Sequence, residues 1–206
     1  MSPDGSMATT TTSNDFFPEL LDCRRQHEEI RQRVEALLEG MTLEQFNYSP
    51  TPGRWTVAQN IEHLSLEGEE QVEIIQGMIN QGTARHIRGE GPFRYRGRVR
   101  WANWYLRFLE PPYRTKIPTL PRYTAPPQLT FEAVVPRFMQ IKQRFLEQIE
   151  QANGLDLARL TAPLPYLKGW NPSLALGQWF LYAAVHERRH LWQIQNFVLN
   201  SPGYPR

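Results

Sequence analysis

The chain has 206 residues, with 23 Lys and Arg against 21 Asp and Glu and a formal net charge of +2. Its hydrophobic content of 40% and aromatic content of 12% are typical of a globular domain, while the small net charge argues against a dedicated nucleic-acid binder. The single cysteine, Cys23, excludes an internal disulfide and fits a reducing compartment.

Neither end of the chain suggests a membrane or secretory role. No apolar run reaches the length of a membrane span. The first residues, MSPDGSMATTTTSND, lack the basic and apolar parts of a signal peptide. We therefore expect a disordered tail over residues 1–14, a single domain over residues 15–200, a cytoplasmic location and no membrane contact.

Helical periodicity dominates the pattern of apolar residues. They recur at spacings of three and four in four segments, which predicts four long helices. The expected ranges are 15–39, 57–81, 131–153 and 172–199.

Capping residues mark most of these boundaries. Thr56 with Gln59 forms a capping box, and Thr130 can cap the third long helix. Gly40 and Gly82 are placed to follow the first two helices. At the last helix, Asn171 and Pro172 have the character of an N-cap and a first helical residue. Pro136 should kink the third helix or shift its start.

The segment between the second and third long helices is irregular. Aromatic spacing predicts a short helix at 100–109, and no convincing sheet is evident. The expected fold is an all-α four-helix bundle with an irregular crossover carrying a short extra helix. Residues 85–122 hold ten basic residues against two acids, with aromatic residues between them. Three interpretations of this basic segment are open. We favour a solvated loop, followed by a site for an anionic small molecule and then by a nucleic-acid surface.

The stretch His186-Glu187-Arg188-Arg189-His190 matches the H-E-x-x-H pattern of zinc proteases. Such proteases need a third ligand farther along the chain. The sixteen residues after His190 contain no Asp, Glu or His. The pattern therefore does not indicate a zincin protease.

A metal site of another kind remains. His186 and His190 lie about 40° apart on a helical wheel, which makes them a half-site for zinc, nickel or iron. A third ligand must come from upstream, where His86 lies in a glycine-rich stretch. His27 lies on the apolar stripe of its helix and His63 on a polar face. Periodicity leaves His27 and His63 as rivals.

Two segments carry a resemblance to a known family. They are PTPGRWTVAQNIEHLSLEGEE, with Gly-x-Trp-Thr and a later His-Leu, and NPSLALGQWFLYAAVHERRHLWQI, with His-x-x-x-His-Leu and Gln-Ile. Both resemble signatures of the DinB/YfiT-like superfamily. The resemblance implies a four-helix bundle with one divalent metal ion held by His63, His186 and His190. It does not require Glu187, so we take the H-E-x-x-H match as coincidental.

The resemblance also implies a class of chemistry. Relatives include transferases and isomerases that use low-molecular-weight thiols, and proteins regarded as metal-dependent hydrolases. We expect a metal-dependent enzyme that activates a thiol or water on a small-molecule substrate, and a homodimer formed through a helix face is compatible with the sequence. Glu67 is a candidate fourth ligand or general base, although a solvated surface acid is the plainer interpretation. Glu187 is expected beside the metal ligands or exposed.

A function of another class stays open. The chain can instead be a non-catalytic binding or stress-response bundle. Its basic segment at 85–122 would then bind an anionic ligand or nucleic acid, although nucleic acid is not the partner we expect.

Overall fold

The computed structural model describes residues 16–112, 117–166 and 172–206, so the predicted tail at 1–14 lies outside the described residues. Helices dominate these ranges, as the apolar periodicity predicts. The α-helices are α1 (Pro18–Leu38), α2 (Leu43–Phe46), α3 (Val57–Ala84), α4 (Arg100–Leu109), α5 (Phe131–Gln151) and α6 (Leu176–Gln193). Short 3-10 helices cover Gly97–Val99 and Pro121–Tyr123, and a π-helix at Ile194–Leu199 continues α6.

The four long helices α1, α3, α5 and α6 form a bundle. Both α1 and α3 pack against α5 and α6, so α1 and α3 lie at opposite corners. The space between them is filled by buried side chains such as Leu20, Ile75, Phe145 and Trp179. The all-α bundle is confirmed, and α4 confirms the short helix expected at 100–109.

The predicted caps of the middle helices are also confirmed. Thr56 and Gln59 exchange hydrogen bonds between side chain and backbone at 3.0 and 3.1 Å. The Thr130 hydroxyl accepts from the Ala133 N–H at the start of α5. That helix then runs unbroken through Pro136, and its start is not shifted.

The expected end of the second long helix is wrong. We placed Gly82 just beyond the helix, but α3 continues through it to Ala84. A Cβ at Gly82 would meet Leu160 Cδ1 at 2.6 Å, so the glycine permits close packing inside a helix. Local sequence gives no sign of this contact, because Leu160 lies far along the chain.

The last helix begins later than predicted. Pro172 is not helical, and Asn171 lies outside the described residues. A two-stranded antiparallel sheet forms instead, pairing β1 (Thr161–Pro163) with β2 (Ser173–Ala175), and α6 starts directly after it. The Pro172 carbonyl accepts from Leu164 N–H at 2.7 Å. This pairing between distant residues competes with helix formation and delays the start of α6.

Two aromatic side chains are exposed on the outer surface of α4. Trp104 on α4 is 69% exposed and Phe108 is 41% exposed, and their rings stack at 5.7 Å.

No helix among the described residues is long and apolar enough to cross a membrane.

Candidate metal centre

Three histidines from two helices meet at one point in the bundle. His63 comes from α3, and His186 and His190 lie one turn apart on α6. The Nε2 atom of His186 lies 3.4 Å from that of His63 and 3.1 Å from that of His190. One ligand atom from each ring lies within 4.8 Å of the others, an arrangement that could hold a metal ion.

The opposite nitrogens of two of these rings are held by hydrogen-bond acceptors. His63 Nδ1 lies 2.9 Å from the Tyr123 carbonyl oxygen, and His190 Nδ1 lies 2.9 Å from Asn60 Oδ1. The Asn60 side-chain NH2 group donates to the Thr56 carbonyl at 2.8 Å. This hydrogen bond turns the Asn60 Oδ1 atom towards His190. These acceptors place the ring proton on Nδ1 and leave the Nε2 lone pair directed into the cluster, as in proteins whose histidines bind metal.

Burial keeps the cluster uncharged. Burial, then the neighbouring His186, lowers the pKa of His63 to about 4. Burial, then the charge of Arg189, lowers the pKa of His186 to about 3. Burial also lowers the pKa of His190 well below its ordinary value. Neutral imidazoles are the form that coordinates a metal ion, so the donor set fits zinc, nickel or iron.

Glu67 lies at the same point, one turn after His63. The interpretation of Glu67 as a solvated surface acid is wrong, because its side chain is buried and 5% exposed. Its Oε1 lies 3.5 Å from His186 Nδ1, and its Oε2 lies 3.6 Å from His63 Nε2. Tyr182 and Gln71 donate hydrogen bonds to Oε1 at 2.8 and 3.1 Å. Burial raises the pKa of the Glu67 carboxyl above its ordinary value.

The two other residues that sequence patterns singled out lie elsewhere. Glu187 is neither exposed nor among the contacts of the histidine cluster. Its Oε2 accepts from Lys142 Nζ at 2.5 Å, and the same Nζ lies 2.6 Å from His27 Nδ1. His27 Nε2 lies 3.2 Å from the Phe180 carbonyl oxygen. His27, Lys142 and Glu187 therefore form a buried polar triad between α1, α5 and α6, separate from the three clustered histidines.

The histidine cluster lies in the wall of a cavity of about 410 Å³. Trp55 covers two of the rings, with its ring centroid 4.8 Å from that of His63 and 5.9 Å from that of His190. The wall also holds the side chains of Tyr105, Tyr123, Tyr166, Tyr182, Arg189 and Phe197. A small molecule in this cavity would lie directly against the histidines and Glu67.

Several residues that build the site belong to no motif in the sequence. Asn60 and Gln71 on α3 and Tyr182 on α6 were not singled out. A signal for them exists, because Asn60, His63, Glu67 and Gln71 are spaced by three and four residues and share one buried polar face. Tyr182 precedes His186 by one turn in the same way.

The remaining predicted features lie on the surface. The described arginines of the basic segment are all exposed, while Arg114 and Lys116 lie outside the described residues. His86 is exposed at the start of this segment with a φ of 51°.

Comparison with known proteins agrees with the geometry. The family model of the DinB superfamily matches residues 26–194, which include both helices that carry the histidines. No curated protein and no solved structure gives a significant match. The histidine cluster fits a metal-binding member of this family. Because the match covers most of the chain, the protein belongs to the DinB superfamily.

Proposed function

We propose that the protein is a metal-dependent enzyme that activates a thiol or a water molecule for reaction with a small molecule. His63, His186 and His190 would hold one divalent ion, with zinc, nickel and iron as the candidates. The observation that carries the proposal is the convergence of three Nε2 atoms in the wall of a cavity, with the lone pairs of His63 and His190 directed into the cluster.

The chemistry divides between the ion and the chain. A divalent ion bound by three histidines keeps open positions and lowers the pKa of a water molecule or thiol that binds there. Glu67 is placed to accept the released proton, since its Oε2 lies 3.6 Å from His63 Nε2. The hydrogen bonds from Tyr182 and Gln71 fix the orientation of this carboxylate. Its raised pKa brings it closer to the range of an effective general base.

The cavity supports a small-molecule substrate. Its volume of about 410 Å³ falls within the usual range for ligand sites. That space admits a low-molecular-weight thiol together with a small electrophile, or a hydrolysable compound with water.

Metal analysis of untagged protein tests the proposal. Wild type should bind about one zinc, nickel or iron ion per chain, and His63→Ala and His190→Ala should each lose most of that affinity. His86→Ala is the matched control, because this exposed histidine lies outside the cluster. His27→Ala should also retain metal in its folded fraction. Wild-type protein that takes up none of the three metals would contradict the proposal.

Activity of the metal-loaded protein tests the role of Glu67. Glu67→Gln should keep the metal and lower thiol-transfer or hydrolytic turnover by about a hundredfold or more, the usual contribution of a general base. Glu187→Gln should change turnover by less than about tenfold, because that side chain lies in the buried triad. Equal losses in the two variants would assign no special role to Glu67.

A second candidate is a non-catalytic bundle that binds anions through the basic segment. It is supported by exposed Arg100 and Arg107 on α4 beside the exposed rings of Trp104 and Phe108. Arginines can neutralise phosphates while aromatic rings stack on bases. Tight binding of single-stranded DNA that weakens steeply with salt would favour this candidate.

A further inference from the structure

A buried arginine lies in the cavity wall next to the histidine cluster. Arg189 directly precedes His190 on α6, is 3% exposed and lines the cavity. A guanidinium group stays charged at every physiological pH and presents donors in a planar fork that matches a carboxylate. A permanent cation is therefore part of the same cavity wall as the histidines.

The charges of the cavity favour an anionic guest. Among the described residues that line it, the charged side chains are Arg54, Glu67 and Arg189. Arg54 lies at the exposed rim, with its guanidinium 4.4 Å from the centre of the Phe197 ring. Two cations thus face one carboxyl group, and the three histidines add no negative charge. A divalent ion at the histidines would make the cavity more positive still.

Much of the rest of the wall is aromatic or aliphatic. Tyr166 stacks on Tyr182 at 5.7 Å with an interplanar angle of 10°, and Tyr182 stacks on His186 at 5.9 Å with an angle of 9°. This stack of near-parallel rings connects the aromatic part of the wall to the cluster. An aromatic or apolar guest would pack against such a wall better than a heavily hydrated one.

We propose that the cavity binds small aromatic or apolar monocarboxylates. Arg189 binds the carboxylate, and Tyr166 and Tyr182 contact the aromatic or apolar part of the molecule. This assignment rests on the proposed function, since it names the class of substrate whose reactive part would then lie at the histidines and Glu67. Arg189 is a binding residue in this scheme, and Arg54 at the rim draws the anion towards the opening.

Calorimetric titration with matched probes tests the assignment. Benzoate and 3-phenylpropionate are compared with benzamide and 3-phenylpropionamide, which have the same shape without the charge. Metal-free protein is used first, so that direct coordination to a metal does not contribute. At least one of the two carboxylates should bind about tenfold or more tightly than its amide, the usual gain from a hydrogen-bonded ion pair.

Variants of neighbouring arginines identify the group responsible. Arg189→Gln should abolish the preference for the carboxylate and leave amide affinity unchanged. Arg189→Lys should retain part of the preference, because the charge remains but the planar fork is lost. Arg188→Gln is the matched control, since Arg188 pairs with Glu110 and does not line the cavity. Circular dichroism of each variant checks that it folds.

The outcomes separate this assignment from the metal-dependent function. Wild-type protein that shows no preference for either carboxylate overturns the assignment, even if Arg189→Gln fails to fold. A preference that survives in Arg189→Gln also overturns it. Carboxylate binding through Arg189 in a protein that takes up no metal would support the anion site and contradict the proposed enzyme. Metal uptake without a carboxylate preference would contradict the anion site and support the metal-dependent function.

Discussion

The glutamate of the H-E-x-x-H stretch offers the sharpest test, because two interpretations of it predict opposite results. In a zincin protease this residue acts at the metal. In the structure, Glu187 accepts a hydrogen bond from Lys142, whose side chain is 0% exposed, inside the buried triad. We therefore expect Glu187→Ala to damage stability and spare the metal.

The size of the effect follows from the burial of Lys142. Burial lowers the pKa of Lys142, and the attraction of Glu187 opposes that shift. Removing one partner of a buried ion pair costs about 3–5 kcal/mol, because the other charge stays buried without compensation. For a chain of this size each kcal/mol corresponds to roughly 2–4 °C. The Tm of Glu187→Ala should therefore fall by about 6–20 °C.

Urea unfolding followed by circular dichroism measures the loss, and metal content is read on the same samples at a temperature where the variant is folded. The double variant Lys142→Met/Glu187→Leu is the control, since replacing both charges with apolar groups is often neutral or stabilising. It should recover most of the stability lost in Glu187→Ala. If Glu187→Ala keeps its Tm within about 2 °C but loses its metal, Glu187 belongs to the metal centre and our assignment of it is wrong.

Further predictions concern single buried groups. Burial raises the pKa of the Cys23 thiol to about 12. Ellman's reagent at pH 8 should therefore label native protein far more slowly than protein in urea. Equal labelling rates would refute the burial of Cys23. Gly82→Ala should lower the unfolding free energy by about 1–3 kcal/mol, because its Cβ would press on Leu160. Gly77→Ala is the control and should not lower the unfolding free energy in this way, because a Cβ at Gly77 meets nothing within 4 Å. Burial lowers the pKa of His27 well below its ordinary value, so unfolded protein binds the extra proton and stability falls as pH drops below about 6.5. In metal-free protein, His27→Gln should therefore reduce the slope of unfolding free energy between pH 6 and 5 by about 1.4 kcal/mol per pH unit; an unchanged slope would mean that His27 is protonated in the native state.

Local signals in the sequence determined most of the helical framework. The apolar spacing predicts the four long helices, and the pairing of Thr56 with Gln59 predicts where α3 begins. Both are interactions between residues three or four positions apart, which a single helix contains within itself. The spacing of His186 and His190 likewise indicates that the two rings share one face.

Other features of the sequence left alternatives that only contacts between helices could decide. Periodicity left His27 and His63 as rivals for the third ligand. In the structure His63 meets His186 and His190, while His27 meets Lys142 and Glu187. The difference arises because α3 and α1 pack on different faces of α6. A helical wheel gives the angle of a side chain but not the neighbour that it faces.

The same limit explains the errors at the helix ends and at Glu67. Gly82 stays inside α3 because Leu160 packs against it, and Pro172 lies outside α6 because β2 pairs with β1. Glu67 has the spacing of a solvated surface acid, but the packing of α3 against α6 buries it beside Tyr182 and His186. Sequence determined which segments form helices and which side chains share a face, since those depend on local geometry. The tertiary structure alone decided which faces meet, because that depends on packing between residues far apart in the chain.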